Sequence, residues 1–142
     1  MTPISLKENH RRSLATALGL LDETLCLFEE YARGREVHSI LFEERNRLSA
    51  RQKKDLLEEI SRLRAVLQEM KETLGLRVRV VDVGKKIWGT GAGFWEILAE
   101  LEPKRLRAYG AVPEELSTYL KPNVAALLDG MMRISGLFGS SA

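Results

Sequence analysis

The chain has 142 residues, of which 22 are basic and 20 acidic, and its formal net charge is +2 at pH 7. This length suits one domain, and a hydrophobic share of 44% is enough for a core without disulfides or a structural metal. The near balance of charge argues against a partner recognised mainly by its negative charge, such as nucleic acid or an anionic membrane.

Two long helices with matching apolar stripes are predicted over residues 5–33 and 49–74. Large apolar residues recur there four and three positions apart: Leu14, Leu18, Leu21, Leu25 and Phe28, then Leu56, Ile60, Leu63, Leu67, Met70 and Leu74. Capping boxes and glycines mark the helix ends: Ser5 with Glu8, Ser49 with Gln52, Gly34 and Gly75. Stripes of one period predict an antiparallel hairpin in which Leu63 is buried.

The segments before and after the second helix are predicted to be connections. Within residues 35–48, a short helix capped by Ser39 is predicted to close one end of the bundle with its apolar side chains, Ile40, Leu41 and Phe42. Residues 76–83 intersperse valines with charged residues. Because no second strand is predicted, we interpret them as an extended linker, or as a strand that pairs with its copy in a second chain.

A third helix is predicted from its N-cap, Asp82, to about residue 109, with a kink or break near Pro103. Trp88 and Trp95 share one face of this helix. The glycine-rich run 89–93 has neither the lysine-serine/threonine ending of a P-loop nor the spacing of a dinucleotide fingerprint. We interpret the run as a close crossing of two helices or as a loop that breaks the third helix.

The last helix is predicted over residues 122–138, with Pro122 in its first turn. A shorter helix over residues 114–120 is predicted to begin after Pro113. The apolar residues of the last helix cover more than one face: Val124, Leu127, Leu128, Met131, Ile134, Leu137 and Phe138. This surface exceeds what one core needs, which predicts self-association. Residues 139–142 are predicted to fray.

Together these elements predict an all-α fold, an up-and-down four-helix bundle with a long connection between helices 1 and 2 and a kinked or broken third helix. We assign residues 1–142 to a single helical-bundle domain. The one cysteine, Cys26, cannot form an intrachain disulfide. The sequence shows no leader and no apolar run of membrane-spanning length, which predicts a cytoplasmic protein without a membrane partner.

Arg33 and His38, with four residues between them, resemble the arginine-to-histidine motif of the HEPN family of helical-bundle ribonucleases. The resemblance covers six residues, and Gly34 stands where that family usually carries a polar residue. It implies RNA cleavage in which Arg33 and His38 are the catalytic residues.

Neither histidine follows a glutamate at the spacing that di-iron helical bundles require, since Lys7 stands three residues before His10 and Arg35 three before His38. No metal or cofactor is therefore expected. The densest basic run is Arg45, Arg47, Arg51, Lys53 and Lys54. It could attract phosphate at one end of a bundle, although glutamates expected at the same end favour a solvated surface.

The leading interpretation is a non-enzymatic bundle that forms a homodimer and binds an unknown protein partner, in a regulatory or scaffolding role. The candidate apolar interface residues are Trp88, Trp95, Leu128 and Met131. The second hypothesis is a weak nucleic-acid or phosphate binder that uses the basic run. The third is a HEPN-like ribonuclease.

Overall fold

The structure is a computed structural model that describes residues 4–139. Helices form 73% of these residues, which confirms the predicted all-α class. The five helices are α1 (Glu8–Ala32), α2 (Ala50–Leu74), α3 (Val83–Ala99), α4 (Pro103–Leu106) and α5 (Glu114–Phe138), and Arg107–Tyr109 forms a 3₁₀ turn. Residues 4–139 contain no β-strand, only an isolated antiparallel bridge between His38 and Glu43. No helix in this range combines the length and the apolar character needed to cross a membrane.

The chain divides into two compact units, unit 1 (Met1–Arg79) and unit 2 (Val80–Ala142), and each is described by itself. Unit 1 contains α1 and α2, and unit 2 contains α3, α4 and α5. The single domain and the four-helix arrangement stay predictions. Of the tail predicted to fray, residues 140–142 lie outside the described part of the chain.

Unit 1 is the antiparallel hairpin of α1 and α2 that the matching stripes predict. Arg11, near the start of α1, donates to the carbonyl oxygen of Gly75 at the end of α2 (2.9 Å). Leu25 of α1 and Ile60 of α2 are each only 2% exposed. Leu63 is 36% exposed, so its predicted burial is wrong, because a single neighbouring helix covers only part of the width of the α2 stripe.

The predicted start of α1 at Ser5 is wrong. The helix begins at Glu8, and Lys7 occupies its N-cap position without a side-chain hydrogen bond. The described residues before it have no regular secondary structure, and the Ile4 N–H donates to the carbonyl oxygen of Thr73 (2.6 Å). This contact holds the segment against the end of α2, where it cannot continue the helix.

The predicted ends of α2 are confirmed. The Ser49 side chain accepts from the Gln52 N–H while the Gln52 side chain accepts from the Ser49 N–H, which completes the capping box. Gly75 ends the helix in the left-handed conformation at φ +60°. The residues from there to Asp82 have no regular secondary structure, in agreement with the predicted linker.

The short helix predicted to run from its cap at Ser39 to about Asn46 is wrong, because this stretch is not helical. The Ser39 N–H donates to the carbonyl oxygen of Phe42 (3.0 Å), so the chain reverses direction in a tight turn. The side chains of Ile40 and Leu41 are exposed and close no core. The turn replaces a helix because its two arms are held together by hydrogen bonds, which are described below.

Unit 2 is built on the packing of α3 against α5. The Asp82 carboxylate caps α3 by accepting from the Lys85 N–H (3.0 Å), as predicted. The glycine-rich run 89–93 is helical. Gly91 is buried against α5, where a Cβ would lie 2.2 Å from the Ser135 hydroxyl oxygen. This confirms the close crossing over the alternative of a loop.

The predicted break in the third helix is confirmed. α3 ends at Ala99, and Pro103 opens the four-residue α4 as its first residue. The side chain of Pro103 is buried, so the residue that breaks the third helix also adds buried apolar surface to unit 2.

The predicted start of the last helix at Pro122 is wrong, because α5 begins at Glu114 and contains this proline in its interior. The two predicted helices therefore merge into one of 25 residues. The Asn123 side-chain amide donates to the carbonyl oxygen of Tyr119 (2.7 Å). This bond supports the helix beside a residue that has no N–H to donate.

Candidate interaction surfaces

The two candidate catalytic residues lie in the connection between α1 and α2. Arg33 is exposed and faces Glu29, with 3.7 Å between Nη2 and Oε2. The His38 imidazole lies between two carboxylates, with Nε2 2.6 Å from Glu36 and Nδ1 3.1 Å from Glu43. Arg33 and His38 are thus placed by different carboxylates, and their joint role in RNA cleavage stays a prediction.

The basic run is divided between two elements. Arg45 and Arg47 lie in the connection, whereas Arg51, Lys53 and Lys54 lie in the first turns of α2. Arg51 is highly exposed and pairs with an acidic side chain of the same helix, 3.8 Å away. Such surface pairs contribute little stability in water. Phosphate or nucleic-acid binding by this run stays a prediction.

A network of polar contacts, which the sequence analysis missed, fixes the connection. The Asn46 side-chain amide donates to the carbonyl oxygens of Tyr31 (2.8 Å) and Arg35 (2.9 Å). The Glu36 carboxylate accepts from the Asn46 N–H (2.6 Å), and the Glu44 carboxylate accepts from the Tyr31 hydroxyl. Hydrogen bonds, rather than apolar packing, therefore order the connection. The only sequence signal was the density of polar residues in this stretch.

Two pKa shifts follow from this network. The pKa of Glu36 lies below its ordinary value of 4.5, because the Asn46 N–H and then the His38 ring stabilise the carboxylate. The pKa of Tyr31 lies above its ordinary value of 10.0, chiefly because its hydroxyl donates to Glu44. Both shifts have the direction expected when the hydrogen bond stabilises the ionised carboxylate of Glu36 and the protonated hydroxyl of Tyr31.

The four predicted interface residues occupy two kinds of position in unit 2. Trp88 and Trp95 are about half-exposed, whereas Leu128 and Met131 are partly buried. The Met131 Cε lies 3.7 Å from the position that a Cβ on Gly91 would take, so Met131 packs into the crossing of α3 and α5. The tryptophans are therefore accessible to a partner, while Met131 supports the hairpin itself.

A second group of apolar side chains, which the sequence analysis did not identify as one surface, is exposed on α3 and α5. We call it the apolar face of unit 2, and its members are between 41% and 58% exposed: Phe94, Ile97, Leu127, Ile134 and Phe138. Helical geometry places these residues on one side of the α3–α5 seam. The two tryptophans lie on the opposite side of that seam.

The exposed area of this face is comparable with that of the largest apolar patch on a typical monomer, which is often functional. Its five side chains leave on the order of 400 Å² of apolar area in water. A standard protein interface buries about 800 Å² per partner, of which roughly 450–500 Å² is apolar. The face therefore has about the apolar area that one side of a specific interface needs.

Unit 1 has one polar and one apolar side. On the polar side Arg64 pairs with Glu29 (2.7 Å) and also approaches the Cys26 sulfur (3.9 Å). On the other side α1 and α2 expose Leu21, Phe28, Leu63 and Val66. The hydrogen bond from Arg64, the largest of several causes, lowers the pKa of Glu29. The polar side is thus internally paired, whereas the apolar side is uncovered.

Unit 2 also contains a cleft of about 160 Å³ between the start of α4 and α5. Its lining is partly apolar and partly charged: Pro103, Val124, Ala125 and Leu128, with Glu102, Lys104 and Lys121.

Among residues 4–139, no group of three or more histidine, cysteine or acidic side chains could hold a metal ion. No protein-family model, curated protein or solved structure matches the chain. Function is therefore inferred from the surfaces themselves.

Proposed function

We propose that the chain is a non-enzymatic interaction protein that forms a homodimer through the apolar face of unit 2. The observation that carries this proposal is the exposure of five large apolar side chains side by side on two packed helices. Removal of apolar surface from water is the main driving force of association, so a face of this size favours a covered state.

A second copy is the occupant that the composition of the face favours. The face has no charged member, so two copies can meet without repulsion between like charges. Helical geometry places charged residues of the two helices, such as Lys86 and Arg133, at its edges. Protein interfaces usually have an apolar centre and a charged rim. A twofold dimer, in which the same surface of both copies forms the interface, is the commonest arrangement.

In such a dimer each copy contributes α3 and α5, and the two apolar faces meet in one shared apolar layer of four helices. This arrangement differs from the one that the sequence predicts, which is an up-and-down bundle of four helices within a single chain. Binding of a further protein, in a regulatory or scaffolding role, stays a prediction.

Sedimentation equilibrium of the whole chain tests the dimer. We expect the weight-average mass to rise from the 16.0 kDa of one chain toward twice that value across micromolar concentrations. A mass of one chain throughout that range would contradict the proposal.

The two other functions have tests of their own. Binding of RNA or DNA that weakens steeply with added salt would favour the basic run as a phosphate-binding site. RNA cleavage that is lost in His38→Ala would favour the ribonuclease.

A further inference from the structure

The turn at residues 39–42 exposes three large apolar side chains on an ordered segment. Ile40, Leu41 and Phe42 are 94%, 96% and 58% exposed. The arms of the turn are joined by the bridge between His38 and Glu43, next to the polar network around Asn46. Hydrogen bonds thus fix a segment that presents apolar side chains to solvent, an arrangement suited to insertion into a recess. We call these three residues the apolar tip.

Acidic groups border the apolar tip. Glu43 follows Phe42 directly, and the His38 ring contacts both Glu43 and Glu36. Arg45 of the basic run follows two residues after Glu43, but the charged residue next to the tip itself is acidic. The recess that fits it is apolar inside and carries positive charge at its edge.

The cleft of unit 2 has these properties. Its volume of about 160 Å³ is close to that of cavities, about 150 Å³, known to hold one benzene ring. Two lysines, Lys104 and Lys121, line it together with one acidic residue, Glu102. Another depression on α5 is lined by Glu114 and Glu115, and these residues would repel an acidic tip.

We propose that the apolar tip of one copy docks into the unit 2 cleft of a second copy, with the Phe42 ring inside and Glu43 facing Lys121. The proposal rests on the proposed self-association and adds a second contact to it. Lys121 lies on the side of α5 away from Leu127 and Ile134, so the cleft stays open when the apolar face is covered.

The first test measures the dimer dissociation constant of whole-chain variants by sedimentation equilibrium. Phe42→Ala should raise the constant about tenfold or more, as the loss of an interface anchor does. Tyr109→Ala, which also removes an exposed aromatic side chain, should change it less than about twofold. If Phe42→Ala matches the unchanged chain while Ile134→Glu dissociates the dimer, the docking proposal is wrong and the proposed function stands.

A reversal of charge tests the polar part of the contact. Glu43→Lys and Lys121→Glu should each weaken the dimer, and the double variant should recover most of the loss. If the loss of dimer affinity in the double variant equals the sum of the two single losses in free energy, the two residues do not face each other.

The decisive measurement separates contacts between chains from contacts within one chain. Equal amounts of ¹⁴N-labelled and ¹⁵N-labelled protein are mixed and treated with a carbodiimide, which joins a carboxylate to a nearby lysine with loss of water. We expect a linked peptide pair containing Glu43 and Lys121, or Glu36 and Lys104, with one peptide of each isotope. Links that join only peptides of the same isotope would overturn the proposal, as would the absence of any link between tip and cleft.

Discussion

Among the described residues, Leu25 and Ile60 are the largest fully buried side chains, one on each helix of the unit 1 hairpin. A buried side chain contributes both its transfer from water and its packing, so truncation leaves a cavity that the neighbours fill only in part. Leu63, three residues from Ile60 on the same stripe, still contacts solvent over 36% of its surface. The two positions therefore form a matched pair for measuring what burial contributes.

We expect Ile60→Ala to lower the free energy of unfolding by about 2–5 kcal/mol, as core truncations do. Leu63→Ala should cost roughly half as much or less, since a third of that side chain is already in water. Urea denaturation at a fixed protein concentration measures both. Equal losses for the two variants would mean that Leu63 is covered in solution.

The glycines of α3 provide a second test at the residue scale. A Cβ at Gly91 would lie 2.2 Å from the Ser135 hydroxyl oxygen, whereas one at Gly93 would have no atom within 4 Å. Gly93→Ala should therefore stabilise the helix by about 1 kcal/mol, the difference in helix propensity. Gly91→Ala should be less stable than Gly93→Ala by about 1 kcal/mol or more, because Ser135 must move. Thermal unfolding compares the two, and equal stability would contradict the close crossing.

At the scale of elements, the Glu36 carboxylate is one of the groups that fix the connection between α1 and α2. The Asn46 N–H donates to Glu36 (2.6 Å), which lowers the pKa of Glu36 in the folded chain. A carboxyl group with a lowered folded pKa stabilises the fold above its ordinary pKa of 4.5, and this contribution is lost as the pH falls through the folded value. The turn that carries the apolar tip should therefore loosen in acid.

The amide proton of Asn46 reports this directly in an NMR titration. We expect its chemical shift to change with a midpoint below pH 4.5, and we expect Glu36→Gln to abolish that change. A midpoint at or above 4.5 would mean that the hydrogen bond does not form in solution.

The helices of unit 1 could be predicted from the sequence because their signals are local. Stripes with a period near 3.6 residues and the capping box at Ser49 lie within a few residues of one another. The turn at residues 39–42 could not, because it depends on contacts such as that between Glu36 and Asn46, ten residues apart. The predicted start of α1 is wrong for a similar reason, because the Ile4 N–H donates a hydrogen bond to the distant carbonyl oxygen of Thr73. The start of the last helix was predicted at Pro122 because proline is rare in the interior of a helix, where it in fact lies in α5.

At the scale of the whole molecule, the sequence predicts self-association from an excess of apolar residues on the last helix. The particular surface could not be derived in advance, because it combines residues of α3 and α5 that become neighbours only when these helices pack. Among the four residues proposed from the sequence, Met131 lies in the crossing of the two helices. A charge at that position would therefore disrupt the hairpin as well as a dimer. Ile134 and Leu127 are the exposed positions that separate the two effects.

The central claim, a dimer through the apolar face of unit 2, is tested most directly by Ile134→Glu beside Met132→Glu. Both residues are exposed on α5, but two positions along a helix point about 160° apart, so only Ile134 lies on the face. We expect sedimentation equilibrium to give 16.0 kDa for Ile134→Glu and a dimer for Met132→Glu, with equal helicity by circular dichroism. A dimer that survives Ile134→Glu unchanged, or that both variants weaken equally, would contradict the claim.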